Sequence, residues 1–121
     1  MKPQILLVED NIYIRENTAE LIELHSYNVL TASNGVEGMK LALKEKPELI
    51  LCDIKMPVMD GFDLLLFIRK EQTLAHSKFI FLTASAEKNQ IEKALQMGAD
   101  DYIVKPYTEK ELLGKLKKHL Q

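Results

Sequence analysis

Five short apolar runs, at residues 5–8, 27–32, 49–52, 79–82 and 102–104, recur along this 121-residue chain. Between them apolar residues return at the spacing of a helix face. Strands that alternate with helices build a parallel sheet with helices packed on both sides. Right-handed crossovers reduce the topologies open to it to a few. The runs at 5–8, 49–52 and 79–82 are apolar without interruption, as strands covered on both faces are. The run at 27–32 is more polar and reads as an edge strand. The length suits one domain across residues 1–121.

Local signals bound the intervening helices. Asn11 is placed to cap the first, with Ile14, Leu21 and Ile22 on its core face. Asn34 stands three residues before Glu37, as in a capping box, and this helix ends near Glu45 ahead of Pro47. The third spans residues 62–70, with Leu64, Leu65 and Ile68 inward. Ser85 caps a fourth over residues 86–97, carrying Ile91, Ala94 and Leu95, and Gly98 fits its left-handed C-terminal position. Thr108 and Glu111 form a second capping box. Leu112, Leu113, Leu116 and Leu120 follow it, and Gly114 in their midst costs about 1 kcal/mol relative to alanine.

Composition excludes several classes. A net charge of −2 argues against a broad nucleic-acid surface. The only cysteine, Cys52, lies inside an apolar run, so it reads as a packed, reduced thiol and favours a reducing, cytoplasmic setting. No stretch has the length and apolarity of a membrane span, and the start shows no signal-peptide pattern. His25, His76 and His119 are scattered and read as surface or cap residues. Lys110, Lys115, Lys117 and Lys118 read as a solvated helix face.

The chemistry lies at the ends of the strands. The first run ends in Glu9 and Asp10, the third in Asp53, the fourth in Thr83 and the fifth in Lys105. In a parallel sheet these groups converge outside the carboxyl edge, where ligands of such folds bind. Crowded carboxylates repel one another, and a hard cation relieves the repulsion. Mg²⁺ prefers oxygen donors and is usually held by one or two carboxylates together with a phosphate. An ammonium and a hydroxyl beside it suit a tetrahedral anion. A carboxylate, a metal and an anion clamp are the parts of phosphoryl transfer, here with an aspartate as nucleophile.

These residues resemble a known family, the receiver domains of two-component response regulators, of which the chemotaxis regulator is one. The likeness rests on Val8-Glu9-Asp10-Asn11, on Asp53 followed by Met56-Pro57 and Met59-Asp60-Gly61, on Thr83-Ala84, on Gly98-Ala99-Asp100-Asp101-Tyr102 and on Lys105-Pro106. It implies an α/β, flavodoxin-like receiver fold: a five-stranded parallel sheet of order 2-1-3-4-5 flanked by five helices. It further implies that Asp53 is the phosphoacceptor and that Asp10, Asp53 and the Lys55 backbone carbonyl bind Mg²⁺, with Glu9 acting through a water. Thr83 and Lys105 would hold the phosphoryl oxygens, Pro106 would follow a cis bond, Ala84 would leave the acceptor accessible, and Tyr102 would be the switch aromatic moving with Thr83. The expected donor is a histidine kinase or a histidine phosphotransfer protein. The expected recipient of the signal is a downstream protein, an output domain or a second copy of the chain, with no direct nucleic-acid or membrane partner. The module would catalyse its own phosphorylation and dephosphorylation rather than turn over a substrate as an enzyme. One departure is His25-Ser26, where many relatives carry glycine.

Three other readings remain at this stage. A metal-dependent phosphatase with an aspartyl nucleophile, of the haloacid dehalogenase kind, places a second aspartate two residues after the first, where this chain has Lys55. A flavin carrier needs a phosphate loop after the first strand, where Glu9 and Asp10 would repel one. A phosphorylation-independent adaptor would have no use for the full acceptor set.

Overall fold

The computed structural model describes residues 2–84 and 88–121. Strands β1 (Gln4–Val8), β2 (Asn28–Ala32), β3 (Leu49–Asp53), β4 (Lys78–Thr83) and β5 (Asp101–Val104) alternate with helices α1 (Ile12–Glu23), α2 (Gly35–Glu45), α3 (Gly61–Lys70), α4 (Lys88–Gln96) and α5 (Glu109–Leu120). The five strands form one parallel sheet of order β2-β1-β3-β4-β5. This is the expected flavodoxin-like arrangement.

Alternation along the strands divides the core in two. Leu6, Val8, Ile50, Cys52, Phe79 and Phe81 face α2, α3 and α4, and meet Ala42, Leu64, Leu65, Ile68 and Ala94. Ile5, Leu7, Leu49, Leu51, Ile80 and Leu82 face α1 and α5, and meet Ala19, Ile22, Leu112 and Leu116. All twelve strand residues are fully buried. At about 1.5–3 kcal/mol for each large side chain removed from water, this double layer is the main favourable term in folding.

The local signals perform as expected at most ends. Asn11 accepts hydrogen bonds from the Tyr13 and Ile14 N–H groups, and Asn34 accepts one from Glu37. Thr108 accepts from Glu111 N–H, but neither of the two expected capping boxes closes reciprocally: the Glu37 carboxylate accepts the Ser33 N–H and the Glu111 carboxylate accepts the Thr108 hydroxyl. Gly98 has φ 105°. The sequence missed the capping box of α3, in which Asp60 and Asp63 each accept the other's backbone N–H, and a 3₁₀ turn at Gln72–Leu74. The proposed cap Ser85 lies outside the described residues, as does the beginning of the 86–97 helix. In α1 the buried residues are Thr18, Ala19 and Ile22, while Ile14 and Leu21 are only half-buried. Ile14 and Leu21 instead wall a hollow shared with Pro106 and Tyr107 of the loop after β5, where the Thr18 hydroxyl bonds the Tyr107 hydroxyl at 2.5 Å. Ser26, in the His25-Ser26 departure, has φ 69°, a left-handed conformation that favours glycine.

Two further readings need correction. Lys115 is not merely solvated: its ammonium lies 2.8 Å from Asp101 and 5.6 Å from the Tyr102 ring centre. His119 is not an ordinary surface histidine, since its Nε2 lies 2.8 Å from Asp101 and its side chain is largely buried. Neither contact could be read locally, because β5 and α5 meet only in the tertiary fold. None of the described helices is long and apolar enough to cross a membrane.

Candidate active site

The carboxyl edge of the sheet brings the strand-end groups together. The ladder reaches one residue beyond the apolar runs, so Asp53 and Thr83 are the last residues of β3 and β4, in register with Leu82 and Val104. The Glu9 N–H bonds the Ala32 carbonyl at 3.0 Å, and the Lys105 N–H bonds the Thr83 carbonyl at 2.7 Å. Each functional side chain is therefore anchored by the sheet within one residue of its own backbone. Glu9, Asp10 and Asp53 each present a carboxylate oxygen within 4.8 Å of the others. They lie where the strand order turns back, between β1 and β3, the crevice in which such sheets bind ligands.

Lys105 joins the group from β5. Its ammonium donates to Glu9 Oε1 and to Asp53 Oδ1, each at 2.6 Å. Glu9 is 1% exposed and Asp53 8%, whereas Asp10 stands open to solvent. The other Glu9 oxygen accepts the Asn11 N–H at 3.2 Å, and the Glu9 carbonyl accepts from Arg15 at 2.9 Å. The Lys105–Pro106 peptide is cis. Asp53, Lys55, Thr83, Ala84, Gln90 and Lys105 line a cavity of 140 Å³. Thr83 is buried at its edge. Tyr102 is half-buried and stands apart from this group, in register with Phe81 on β4.

Burial lifts the Asp53 carboxyl, and the hydrogen bond it shares with Glu9 lifts it further, against the pull of Lys105, to about 8. Burial also opposes ionisation of Glu9, but hydrogen bonds from Asp53 and Lys105 outweigh it and hold Glu9 below the usual carboxylate range. Burial disfavours the charged form of Lys105, yet its bonds to Asp53 and Glu9 leave it raised. Near neutral pH the three groups thus share one extra proton, held between two carboxylates that cannot both ionise cheaply side by side. A divalent cation suits this donor set, since it would displace the proton and relieve the repulsion.

Residues that sequence reasoning missed brace the site and the opposite edge of the sheet. Arg15 clamps the Glu9 carbonyl. Arg69 of α3 reaches the Gly98 and Ser77 carbonyls and the Asp100 carboxylate at 2.8–2.9 Å, tying α3 to the turn before β5. Gly61 was legible as punctuation. Its physical role was not: a Cβ there would lie 2.2 Å from the Asp53 carbonyl oxygen.

Residues 5–117 match the family description "Response regulator receiver domain". The chain is 38% identical over 120 residues to the probable transcriptional regulator ycf27 of Porphyra purpurea, covering 99% of this chain and 48% of that protein. It therefore spans about half the length of that relative. Among solved structures, the chemotaxis protein CheY4 of Vibrio cholerae superposes with a TM-score of 0.94 at 28% identity, over 98% of this chain and 99% of that one. The receiver domain of the sensor histidine kinase PA1611 from Pseudomonas aeruginosa has a TM-score of 0.91 at 30% identity, over 99% and 98% of the two chains. That structure has a magnesium ion coordinated in its active-site cleft.

Proposed function

The chain belongs to the response regulator receiver domain family, and on that premise we propose that it is a phosphorylation-driven switch whose acceptor is Asp53. The observation that carries the reading is the single ammonium of Lys105 bridging Glu9 and Asp53 at 2.6 Å, beside Asp10 and a cavity bounded by Thr83. Residues 1–121 act as one receiver unit, a signalling module rather than a turnover enzyme.

Asp10 and Asp53 would hold Mg²⁺ through their side chains and Lys55 through its backbone carbonyl, with Glu9 acting through a water. When bound, Mg²⁺ neutralises charge gathering on the phosphoryl oxygens. The ionised Asp53 carboxylate attacks the phosphorus of a phosphohistidine. An O–P bond forms as the P–N bond breaks, and its electron pair returns to the donor imidazole. Lys105 exchanges its carboxylate partners for a phosphoryl oxygen, and Thr83 supplies a second donor. The donor is a histidine kinase or histidine phosphotransfer protein. Output follows on the face made by α4, β5 and α5, where the half-buried Tyr102 ring would take a second position as Thr83 turns to the phosphoryl group.

Incubation with acetyl phosphate and Mg²⁺, read by intact mass, tests the assignment. One phosphoryl addition is expected in the parent and none in Asp53→Asn. Equal labelling of the two would end the case for Asp53.

A further inference from the structure

Gln90 lines the acceptor cavity, yet the transfer chemistry above makes no use of it. It stands in the first turn of α4 and is half-buried. The other residues around the cavity belong to β3 or β4, or follow a strand end by one or two residues. Among the described residues, Gln90 is therefore the one group that a helix brings to the acceptor. Its neighbours are already engaged. Lys105 holds Glu9 and Asp53, each at 2.6 Å, and Thr83 is assigned to a phosphoryl oxygen. Among the described residues the Gln90 carboxamide makes no hydrogen bond, so its donor and its acceptor are both available to what enters the cavity.

What enters after phosphorylation is water. The cavity measures 140 Å³, and one water takes about 30 Å³, so a phosphoryl group on Asp53 leaves room for a water beside it. Hydrolysis needs that water in line with the bond that breaks. Asp53 is the last residue of β3, so its acyl phosphate projects away from the sheet edge. An in-line water then arrives from the side that the strand ends do not supply. The remaining wall groups suit it poorly. The ammonium groups of Lys55 and Lys105 only donate, and they favour phosphoryl oxygens; Ile54, Leu82 and Ala84 offer no polar side chain. A carboxamide can accept a hydrogen bond from the water and donate one to a phosphoryl oxygen. Being neutral, it does not repel the phosphoryl charge as a carboxylate would. A loose transition state asks for positioning more than for a strong base, and in GTPases a glutamine orients the attacking water.

We propose that Gln90 orients the water that hydrolyses the acyl phosphate of Asp53, and so sets how long the signal lasts. This rests on the phosphoacceptor reading above. The water oxygen bonds phosphorus as the bond from phosphorus to the Asp53 oxygen breaks. The electron pair of that bond returns to the Asp53 carboxylate. A water proton passes to a phosphoryl oxygen, and inorganic phosphate leaves.

The parent, Gln90→Ala and Gln90→Leu are labelled with acetyl phosphate and Mg²⁺, freed of the donor by gel filtration and followed by intact mass. Alanine and leucine are both good helix formers, so α4 is retained. Loss of the acyl phosphate is expected to slow about tenfold in both variants, the worth of one neutral hydrogen bond made in the transition state. Decay is read on protein already labelled, so the labelling rate does not enter. The two variants separate orientation from shielding, because leucine keeps most of the bulk of glutamine and alanine does not. If Gln90 only kept water out, Gln90→Ala would lose phosphate faster and Gln90→Leu at the parent rate. That pattern would overturn the proposal, as would lifetimes within twofold of the parent in both variants. Decay of the parent in heavy-oxygen water should put the label in the released phosphate. Label in the Asp53 carboxylate would mean attack on the acyl carbon, and would also overturn it. Failure of acetyl phosphate to label the parent at Asp53 would instead sink the phosphoacceptor reading, and this proposal with it.

Discussion

Replacing a glycine by alanine should have opposite effects at two places in this chain. At Gly61 the added Cβ would lie 2.2 Å from the Asp53 carbonyl oxygen, 2.8 Å from Phe81 Cε1 and 2.9 Å from Ile54 Cα, where ordinary contact begins at 3.4 Å. Two of these neighbours are backbone atoms of the acceptor strand and its loop, so relief requires a shift of about an ångström in the segment that carries Asp53. Overpacking of this kind costs about 1–3 kcal/mol. For a chain of this length, that lowers the melting temperature by about 4–12 °C. A misplacement of about 1 Å at a reacting group lowers its rate by about 100-fold. At Gly114, inside α5, nothing lies within 4 Å of the same Cβ. Alanine there should add about 1 kcal/mol through helix propensity, or about 4 °C. Thermal unfolding by circular dichroism, paired with acetyl phosphate labelling, reads both quantities. Gly61→Ala melting at or above the parent would refute the crowding argument. Gly61→Ala that melts low yet labels at the parent rate would show that Phe81 yields instead of Asp53.

Other outcomes follow from the same geometry. Lys105→Met removes the only cation paired with the Glu9 and Asp53 carboxylates among the described residues, and labelling should fall by about 10²–10³-fold; a change under threefold would exclude Lys105 from the reaction. Because the Asp53 carboxyl is raised to about 8, the native state without metal holds a proton that the unfolded chain releases near pH 4. Stability of the metal-free protein should therefore fall as pH rises from about 4 to 8, and Mg²⁺ affinity should rise over the upper part of that range as the proton yields its place; denaturant titrations and calorimetry check the two signs. Asp10→Asn should weaken Mg²⁺ binding more than Glu9→Gln, since Asp10 is the open ligand, and the reverse order in a titration would exchange their roles. Asp101, buried but bonded by Lys115 and His119, is held below the usual carboxylate range. Its contribution is present above pH 4 and lost as pH falls through its folded value, so Asp101→Asn should cost about 1–3 kcal/mol at pH 7 and less at pH 3; a constant difference would show that the charge is not involved.

Much of this architecture was written locally. An unbroken apolar run such as Leu49–Cys52 has few fates other than a strand covered on both faces, because exposing either face to water costs too much. Caps such as Asn11, Asn34 and Thr108 act within four residues of themselves, so they are visible without knowing where the chain goes next. Once the strands are parallel, Glu9, Asp10, Asp53, Thr83 and Lys105 have to share an edge, which is why the site could be assembled on paper. What the sequence alone did not decide involves partners brought together by the order of strands in the sheet. Lys105 lies 96 residues from Glu9 and 52 from Asp53, and only the tertiary fold shows that one ammonium serves both. Arg69 finds Asp100, and Asp101 finds Lys115 and His119, because α3, β5 and α5 meet at corners that no local pattern marks. The left-handed turn at Val58 is likewise imposed from outside. The loop is closed at its base by Gly61 and Ile54, and the tip takes whatever backbone angle closure leaves, even where a β-branched residue resists it.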